Sequence, residues 1–380
     1  MPSNKTTILA IDGGGIRGII PAYIISQIEQ QLGHACYQLF TIIGGTSTGA
    51  ILTAGLTTPD PSNTNNYPYD AATLLNIYMK DGSQIFVPQD NWDEMYASYI
   101  ASNNNGQGIE PFLQSCLGTY CSLSNAQTAI TQLPGNKLLQ MFTTGCIVNS
   151  TGGVIPNPVP GQDEGAYLFN WFDAGNDPAN NDYWVWEAAR SSSAAPSYFP
   201  VAHVGGGNDG RSATPEKWVV DGGVMSNNPA MWAVCEAFRT GLAQSLSDIV
   251  VISLGTGIYP GGGGVGITNN SGGLYPADGN WSLIPWMGPD MYDLQGQKND
   301  GTLVNIILDA VQNVAAQQLN LMTYGGLTYY RLEPVIPYSL SQMDNINPTN
   351  IANLYKTAKN YIASGGAGNA LFNDVLNVIA

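Results

Sequence analysis

The chain has 380 residues, 28 acidic against 12 basic, and a net charge of −16 at neutral pH. That balance argues against a surface that tracks nucleic-acid phosphates and against electrostatic attraction to anionic membranes. Two histidines, five cysteines and no C-x-x-C spacing argue against a zinc centre, and no apolar run approaches the roughly 18 residues of a membrane span.

The first residues, Met1-Pro2-Ser3-Asn4-Lys5, lack the apolar region of a signal peptide. Cytoplasmic residence is the expectation, or export by a route the sequence does not display. Thr7-Ile8-Leu9-Ala10-Ile11 reads as a buried strand that passes directly into Asp12-Gly13-Gly14-Gly15-Ile16-Arg17-Gly18. In the helix that follows, Ile20, Ile24, Ile28 and Leu32 recur every four residues. Pro21 suits a first helical position and Gly33 the helix stop. Strand, glycine loop and helix start align backbone N–H groups on one point, an anion or oxyanion site. Asp12 reads as an acceptor that shapes the loop. For Arg17 the favoured role is a salt bridge holding the loop, with electrostatic assistance to chemistry as the other.

The same loop, Gly13-x-Gly15-x-x-Gly18, satisfies the dinucleotide fingerprint, so a Rossmann-type binding module is the rival reading. Its acid is misplaced: Glu29 falls inside the first helix, whereas ribose recognition needs an acid at the end of the second strand. His34 follows the helix stop and reads as a surface loop residue.

Phe40-Thr41-Ile42-Ile43 then enters Gly45-Thr46-Ser47-Thr48-Gly49, a G-x-S-x-G elbow leading to a helix through Ala50, Ile51 and Leu52. Gly45 and Gly49 let the chain turn sharply, so the Ser47 hydroxyl projects from the bend as a candidate nucleophile. Segments rich in Gly, Pro or Asn at 57–68, 151–165, 205–210 and 261–273 read as surface loops or lids. Cys116 and Cys121 could pair, although buried free thiols are the simpler reading.

Lys217-Trp218-Val219-Val220-Asp221-Gly222-Gly223 is a short apolar strand ending in a carboxylate, where open α/β sheets place their chemistry. Asn227-Asn228-Pro229 starts the next helix, with Asn as cap and Pro in the first turn. Ile249 to Leu254 is a further strand. Trp281-Ser282-Leu283-Ile284-Pro285-Trp286-Met287, with Met291 and Tyr292, either contacts lipid or covers the core beneath a loop. Leu303, Ile306, Ile307, Ala310, Val311, Val314 and Leu321 share one face of a long helix expected to cover the sheet.

A serine nucleophile needs a base, and the usual histidine is scarce: only His34 and His203 exist. The α/β-hydrolase order of Ser, acid and late His fails, because no histidine follows residue 203 and the candidate acid comes at 221. His203, after Tyr198-Phe199-Pro200, reads as structural rather than catalytic.

On these residues the chain resembles the patatin-like phospholipase family. The matching features are the loop at 12–18, the elbow at 45–49, Asp221-Gly222-Gly223, and the run from Ala189 through Arg190, Ser191, Ser192 and Ser193 to Pro200. The likeness covers residues 7–228 and fades after about 260. It implies a three-layer α/β/α fold with a mostly parallel sheet; the spacing of motifs that must converge argues for a single domain over 1–380, with a motif-bearing core at about 7–260 and, from the residues alone, a helical cover at about 300–380. It further implies a Ser47–Asp221 dyad, an oxyanion hole from the backbone of Gly13, Gly14 and Gly15, and supporting roles for Arg17, Gly45, Gly49 and Gly222. The implied activity is hydrolysis of acyl esters in phospholipids and galactolipids at a membrane or lipid aggregate, without metal or cofactor. Acyl transfer, a non-catalytic lipid-binding role and the need for an activator stay open.

A carboxyl group with an ordinary pKa of about 3.9 is a poor acceptor of an alcohol proton. The dyad therefore demands an Asp221 that is buried enough to be more basic and close enough to bond Ser47 directly.

Overall fold

The computed structural model describes residues 5–89, 97–150, 165–208, 210–258, 291–292, 298–299 and 302–380. Strand β1 (Thr6–Ile11) alternates Ile8 and Ala10 with Leu9 and Ile11, and all four are fully buried, so both of its faces are covered. Each such Ile or Leu contributes about 1.5–3 kcal/mol on leaving water. Leu9 and Ile11 pack into one apolar cluster with α1 (Ile19–Leu32), α2 (Thr48–Thr57), α3 (Ala71–Ile85) and α4 (Ile109–Leu117). Ile8 and Ala10 pack into a second cluster that includes Ala233 and Leu319. Two clusters on opposite faces of one sheet make three layers.

The sheet has eight strands. Beyond β1 they are β2 (Ile42–Gly45), β3 (Gln140–Ser150), β4 (Gly165–Asn170), β5 (Ala202–Val204), β6 (Lys217–Asp221), β7 (Ile249–Leu254) and β8 (Thr328–Leu332). On one side, β8, β7, β1, β2 and β3 pair in parallel, in that order. Beyond β3 the pairings with β4 and β6, and that of β5 with β6, are antiparallel. The expected mostly parallel sheet is thus mixed. Helix α5 (Val185–Ser192) precedes β5, and α6 (Ala230–Arg239) follows β6. Helices α7 (Thr302–Met322), α8 (Pro348–Ile362) and α9 (Asn369–Ile379) complete the chain.

The register of β3 positions the site. Residues 142 and 143 pair with both β2 and β4, and residues 145–147 pair with both β6 and β4. Hence β2 and β6 share one edge of β3, running toward each other. Gly45 ends β2 opposite Thr143, and Asp221 ends β6 opposite Gly145. Two strand ends meet head to head with one residue, Thr144, between their partners.

Three expectations need correction. The C-terminal segment is not only a helical cover, because β8 joins the sheet beside β7. Helix α7 buries Ala315 and Leu319, while Ala310, Val314 and Leu321 face outward. That is a turn of about 100°, one residue step. The helix carries apolar residues on more than one face, so periodicity alone did not choose between them. Cys116 and Cys121 are unpaired, and of the five free thiols only Cys36 is buried. The segments 151–164, 261–273 and 281–287 lie outside the described residues, and of Met291 and Tyr292 only the backbone is described. No described helix is long and apolar enough to cross a membrane.

Candidate active site

Ser47 sits at the start of α2 with φ 54° and ψ −120°, a sparsely populated conformation for a residue with a side chain. Such strain costs on the order of 1–3 kcal/mol and persists only where neighbours enforce it. Here they do. A Cβ on Gly45 would stand 2.1 Å from the Gly49 carbonyl oxygen, and one on Gly49 would stand 2.1 Å from that of Ile11. Gly45 thus lets the elbow close on itself, and Gly49 lets it press onto the end of β1, at contacts no residue with a side chain permits. The Thr46 amide bonds the Ile11 carbonyl at 3.1 Å, and the Thr46 hydroxyl bonds the Ser226 carbonyl at 2.7 Å.

On the opposing strand end, Asp221 is buried and its Oδ1 accepts the Gly223 amide at 2.6 Å. A Cβ on Gly222 would meet the Thr144 hydroxyl at 2.0 Å, and that hydroxyl lies 2.8 Å from the Thr46 hydroxyl. Thr144 thus ties the two strand ends across the gap. The end of α5 adds a second tie. Ser192 accepts the Ser47 amide through its hydroxyl at 2.9 Å and the Gly222 amide through its carbonyl at 3.3 Å. The Ala194 carbonyl accepts the Asp221 amide at 3.0 Å.

This convergence puts Ser47 and Asp221 on the lining of one cleft. Burial raises the Asp221 pKa to about 7, against the lowering influence of the Gly223 amide, the nearby Ser47 side chain and the charge of Arg190. Arg190 is itself fully buried, 3.3 Å from Glu110 and 2.7 Å from the Pro200 carbonyl.

The glycine loop stands beside Ser47: a Cβ on Gly13 would be 3.1 Å from the Ser47 Cβ and 2.3 Å from the Asn227 Oδ1. Of the three expected anion donors, the Gly13 amide is already used, donating to the Asn227 carbonyl at 3.1 Å. Among the described residues the Gly14 and Gly15 amides have no protein acceptor. Gly15 has φ +59° and lies against the Met343 carbonyl. Arg17 holds the loop by donating to the carbonyls of Gly14 at 3.3 Å and Gly257 at 3.4 Å. An ion pair at the loop's base comes from elsewhere, between Asp12 and Arg331 at 2.6 Å.

Ser47, Asp221, Gly14 and Gly15 line one cleft of about 730 Å³, open solvent included. Its walls are apolar: Ile51, Ile85, Phe86, Ile109, Phe199, Leu308 and Met343.

The remaining candidates lie apart. His203 stacks on Trp218 at 4.2 Å and bonds Glu216, a structural setting. His34 is exposed after the helix stop, where Gly33 has φ 69°. Glu29 accepts the amides of Cys36 at 2.9 Å and Ala71 at 2.7 Å, so it is spent on joining α1 to the next turns. Helix α6 begins at Ala230, one residue later than a cap at Asn228 with Pro in the first turn would give, and the Asn228 Oδ1 accepts the Ala230 amide at 3.0 Å. Thr144, Arg331 and Met343 were not singled out from sequence. Arg331 had a visible signal: Arg331 and Glu333 are two apart in a strand-like run, on one face, in a chain with 12 basic residues.

Comparison with known proteins agrees with this geometry. The sequence profile described as Patatin-like phospholipase matches residues 9–234. Patatin-like protein 3 of Arabidopsis thaliana is 30% identical over 278 residues, covering 66% of this chain and 58% of the relative. The chain therefore spans less than two thirds of that protein. Patatin-17 of Solanum cardiophyllum is 28% identical across 94% of this chain and 83% of its own. Probable inactive patatin-3-Kuras 1 of Solanum tuberosum is 27% identical across 85% of this chain and 81% of its own. With the profile matching well over half of its 380 residues, the chain belongs to the patatin-like phospholipase family.

Proposed function

We propose that this protein is a lipid acyl hydrolase that works through a Ser47–Asp221 dyad. The observation that carries the reading is a serine held in a strained elbow, lining an apolar cleft together with a buried carboxylate of pKa about 7. The Ser47 Oγ attacks the ester carbonyl carbon as its proton passes to an Asp221 carboxylate oxygen. The carbonyl oxygen becomes an oxyanion opposite the free amides of Gly14 and Gly15, where preorganised donors are worth most. Collapse breaks the bond to the leaving alcohol, which takes the proton from Asp221 and departs. A water then attacks the acyl-Ser47 carbonyl, gives its proton to Asp221, and releases the fatty acid with Ser47 reprotonated. An alcohol in place of that water completes acyl transfer by the same steps.

The apolar walls suit a fatty acyl chain, and a lipid aggregate is the expected source of substrate. The dinucleotide reading lacks support on the loop itself, since Gly15 is packed against Met343 and Glu29 is engaged elsewhere. Family membership does not decide activity, since one relative carries the name probable inactive. The test is incubation with vesicles of phosphatidylcholine and of galactolipid, followed by mass spectrometry of the products. The expected result is free fatty acid with the matching lyso-lipid from the wild type and none from Ser47→Ala. A folded wild-type protein that releases no acyl group from these lipids or from soluble esters contradicts the reading.

A further inference from the structure

Asn227 grips the glycine loop on one side, and its side chain is the first link of a partly buried chain of hydrogen bonds. The Asn227 Nδ2 donates to the Gln312 Oε1 at 2.9 Å. The Gln312 Nε2 donates to the Glu333 Oε1 at 2.8 Å. The Glu333 Oε2 accepts from Arg331 at 2.8 Å, and Arg331 donates onward to the Asp12 Oδ2 at 2.6 Å. The chain begins at the residue whose carbonyl holds the Gly13 amide and ends at the residue just before Gly13. It closes a ring around the loop root. On the other face the Thr256 hydroxyl donates to the Gly13 carbonyl at 2.8 Å. The Gly13 peptide is fixed from both sides, and with it the direction in which the next two amides point.

We infer that Gln312, seated between Asn227 and Glu333, is a positioning residue that sets the orientation of the Gly14 and Gly15 amides through this ring. Gln312, Arg331 and Glu333 lie beyond 234, outside the matched family profile, so the ring is incomplete without the C-terminal third. Stability alone is a poor reason for it. Buried ion pairs are often no better than apolar packing, and here one Asp12 oxygen is left without a partner. Close approach is also built in: a Cβ on Gly255 would meet the Glu333 Oε1 at 2.4 Å, so a glycine makes room for the carboxylate. Fixed donor direction is what oxyanion stabilisation requires, because donors that must reorganise during reaction lose their advantage.

The inference rests on the hydrolase reading for its kinetic consequence and on geometry for its structural one. The variant is Gln312→Met, similar in size and unable to make either bond at a half-buried position. Two measurements are made on the full chain: deuterium uptake of peptides covering 12–18, and kcat and KM for a soluble ester. The inference expects faster uptake at the loop and a kcat lowered about tenfold, less than the loss of a donor itself, with KM changed by less than about twofold. Glu333→Gln, which keeps an oxygen for Gln312, falls by less. Unchanged uptake with unchanged kcat in a folded Gln312→Met protein overturns the inference, as does a raised KM at full kcat. Faster uptake alongside a wild type that hydrolyses nothing removes the hydrolase reading and leaves the positioning role standing.

Discussion

Two buried aspartates stand at strand ends on either side of the candidate nucleophile, and their surroundings assign them opposite tasks. Asp12 follows β1, is fully buried, and has a guanidinium 2.6 Å from its carboxylate. Burial outweighs the opposing charge of Arg331 and raises the Asp12 pKa to about 7 as well. Burial lowers Arg331, but Asp12 and Glu333 outweigh it and hold the guanidinium protonated, so Asp12 is anchored on a lasting cation. Asp221 ends β6, and the groups recorded beside its carboxylate are neutral: the Gly223 amide, which it accepts at 2.6 Å, and the nearby Ser47 side chain. Its cation, Arg190, acts only through its field. The same residue type at the same depth becomes an anchor when a cation touches it and a base when only neutral donors do.

The sharpest break of that comparison is the pair of asparagine variants. Asp221→Asn should lower ester turnover by about 100- to 10,000-fold, the span of a lost general base. It should not destabilise the protein at pH 8. A folded pKa raised from 3.8 to about 7 means that the native state binds this proton more tightly than the unfolded chain. That contribution is full below pH 4 and is lost as pH climbs to about 7, worth roughly 4 kcal/mol. Removing the carboxylate therefore raises the melting temperature at pH 8, by less at pH 5, and the gain disappears below about pH 4. Asp12→Asn should behave in reverse, leaving Arg331 without its buried counter-charge at a cost of about 3–5 kcal/mol, read by urea unfolding. A stable but inactive Asp12→Asn protein beside an unstable Asp221→Asn protein would invert the assignment.

A smaller effect sharpens the same contrast. With Asp221 as base, kcat/KM for a soluble ester rises with pH, about tenfold per unit below 7, and levels off above it. A rate that is flat between pH 5.5 and 7.5 would mean that the base titrates elsewhere. Smallest of all, His203→Ala should cost about 1 kcal/mol of stability through its lost contact with Trp218 and leave turnover nearly unchanged. Inactivity of that variant would bring the histidine back into the chemistry.

Much of this was legible in the residues. The strand before Asp12, the helix closed by Gly33, the glycine-flanked Ser47 and the carboxylate ending a strand at 221 all carry local signals, in which a few neighbours dictate backbone geometry. What sequence could not show is how β2 and β6 come to share one edge of β3, because register depends on partners about 70 to 100 residues away. A longer separation still hid the engagement of the Gly13 amide by Asn227, which removes one of three expected donors. The exposed stripe on α7 failed for another reason, since two apolar faces fit one helical period equally well. For Arg17 a salt bridge is the expectation, and its described bonds go instead to the carbonyls of Gly14 and Gly257.

The most direct measurement is fluorophosphonate labelling of Ser47, followed by peptide mass spectrometry, in the wild type and in Asp221→Asn. Phosphonylation requires the serine to lose its proton as it attacks, so it reports an activated nucleophile without needing the right lipid. The account predicts stoichiometric labelling at Ser47 in the wild type, faster as pH rises through about 7, and a sharp fall in Asp221→Asn. Equal labelling of Ser47 in both proteins would leave the serine as nucleophile and remove Asp221 as its base, and an unlabelled Ser47 in a cooperatively folded wild type would reduce the elbow to a turn.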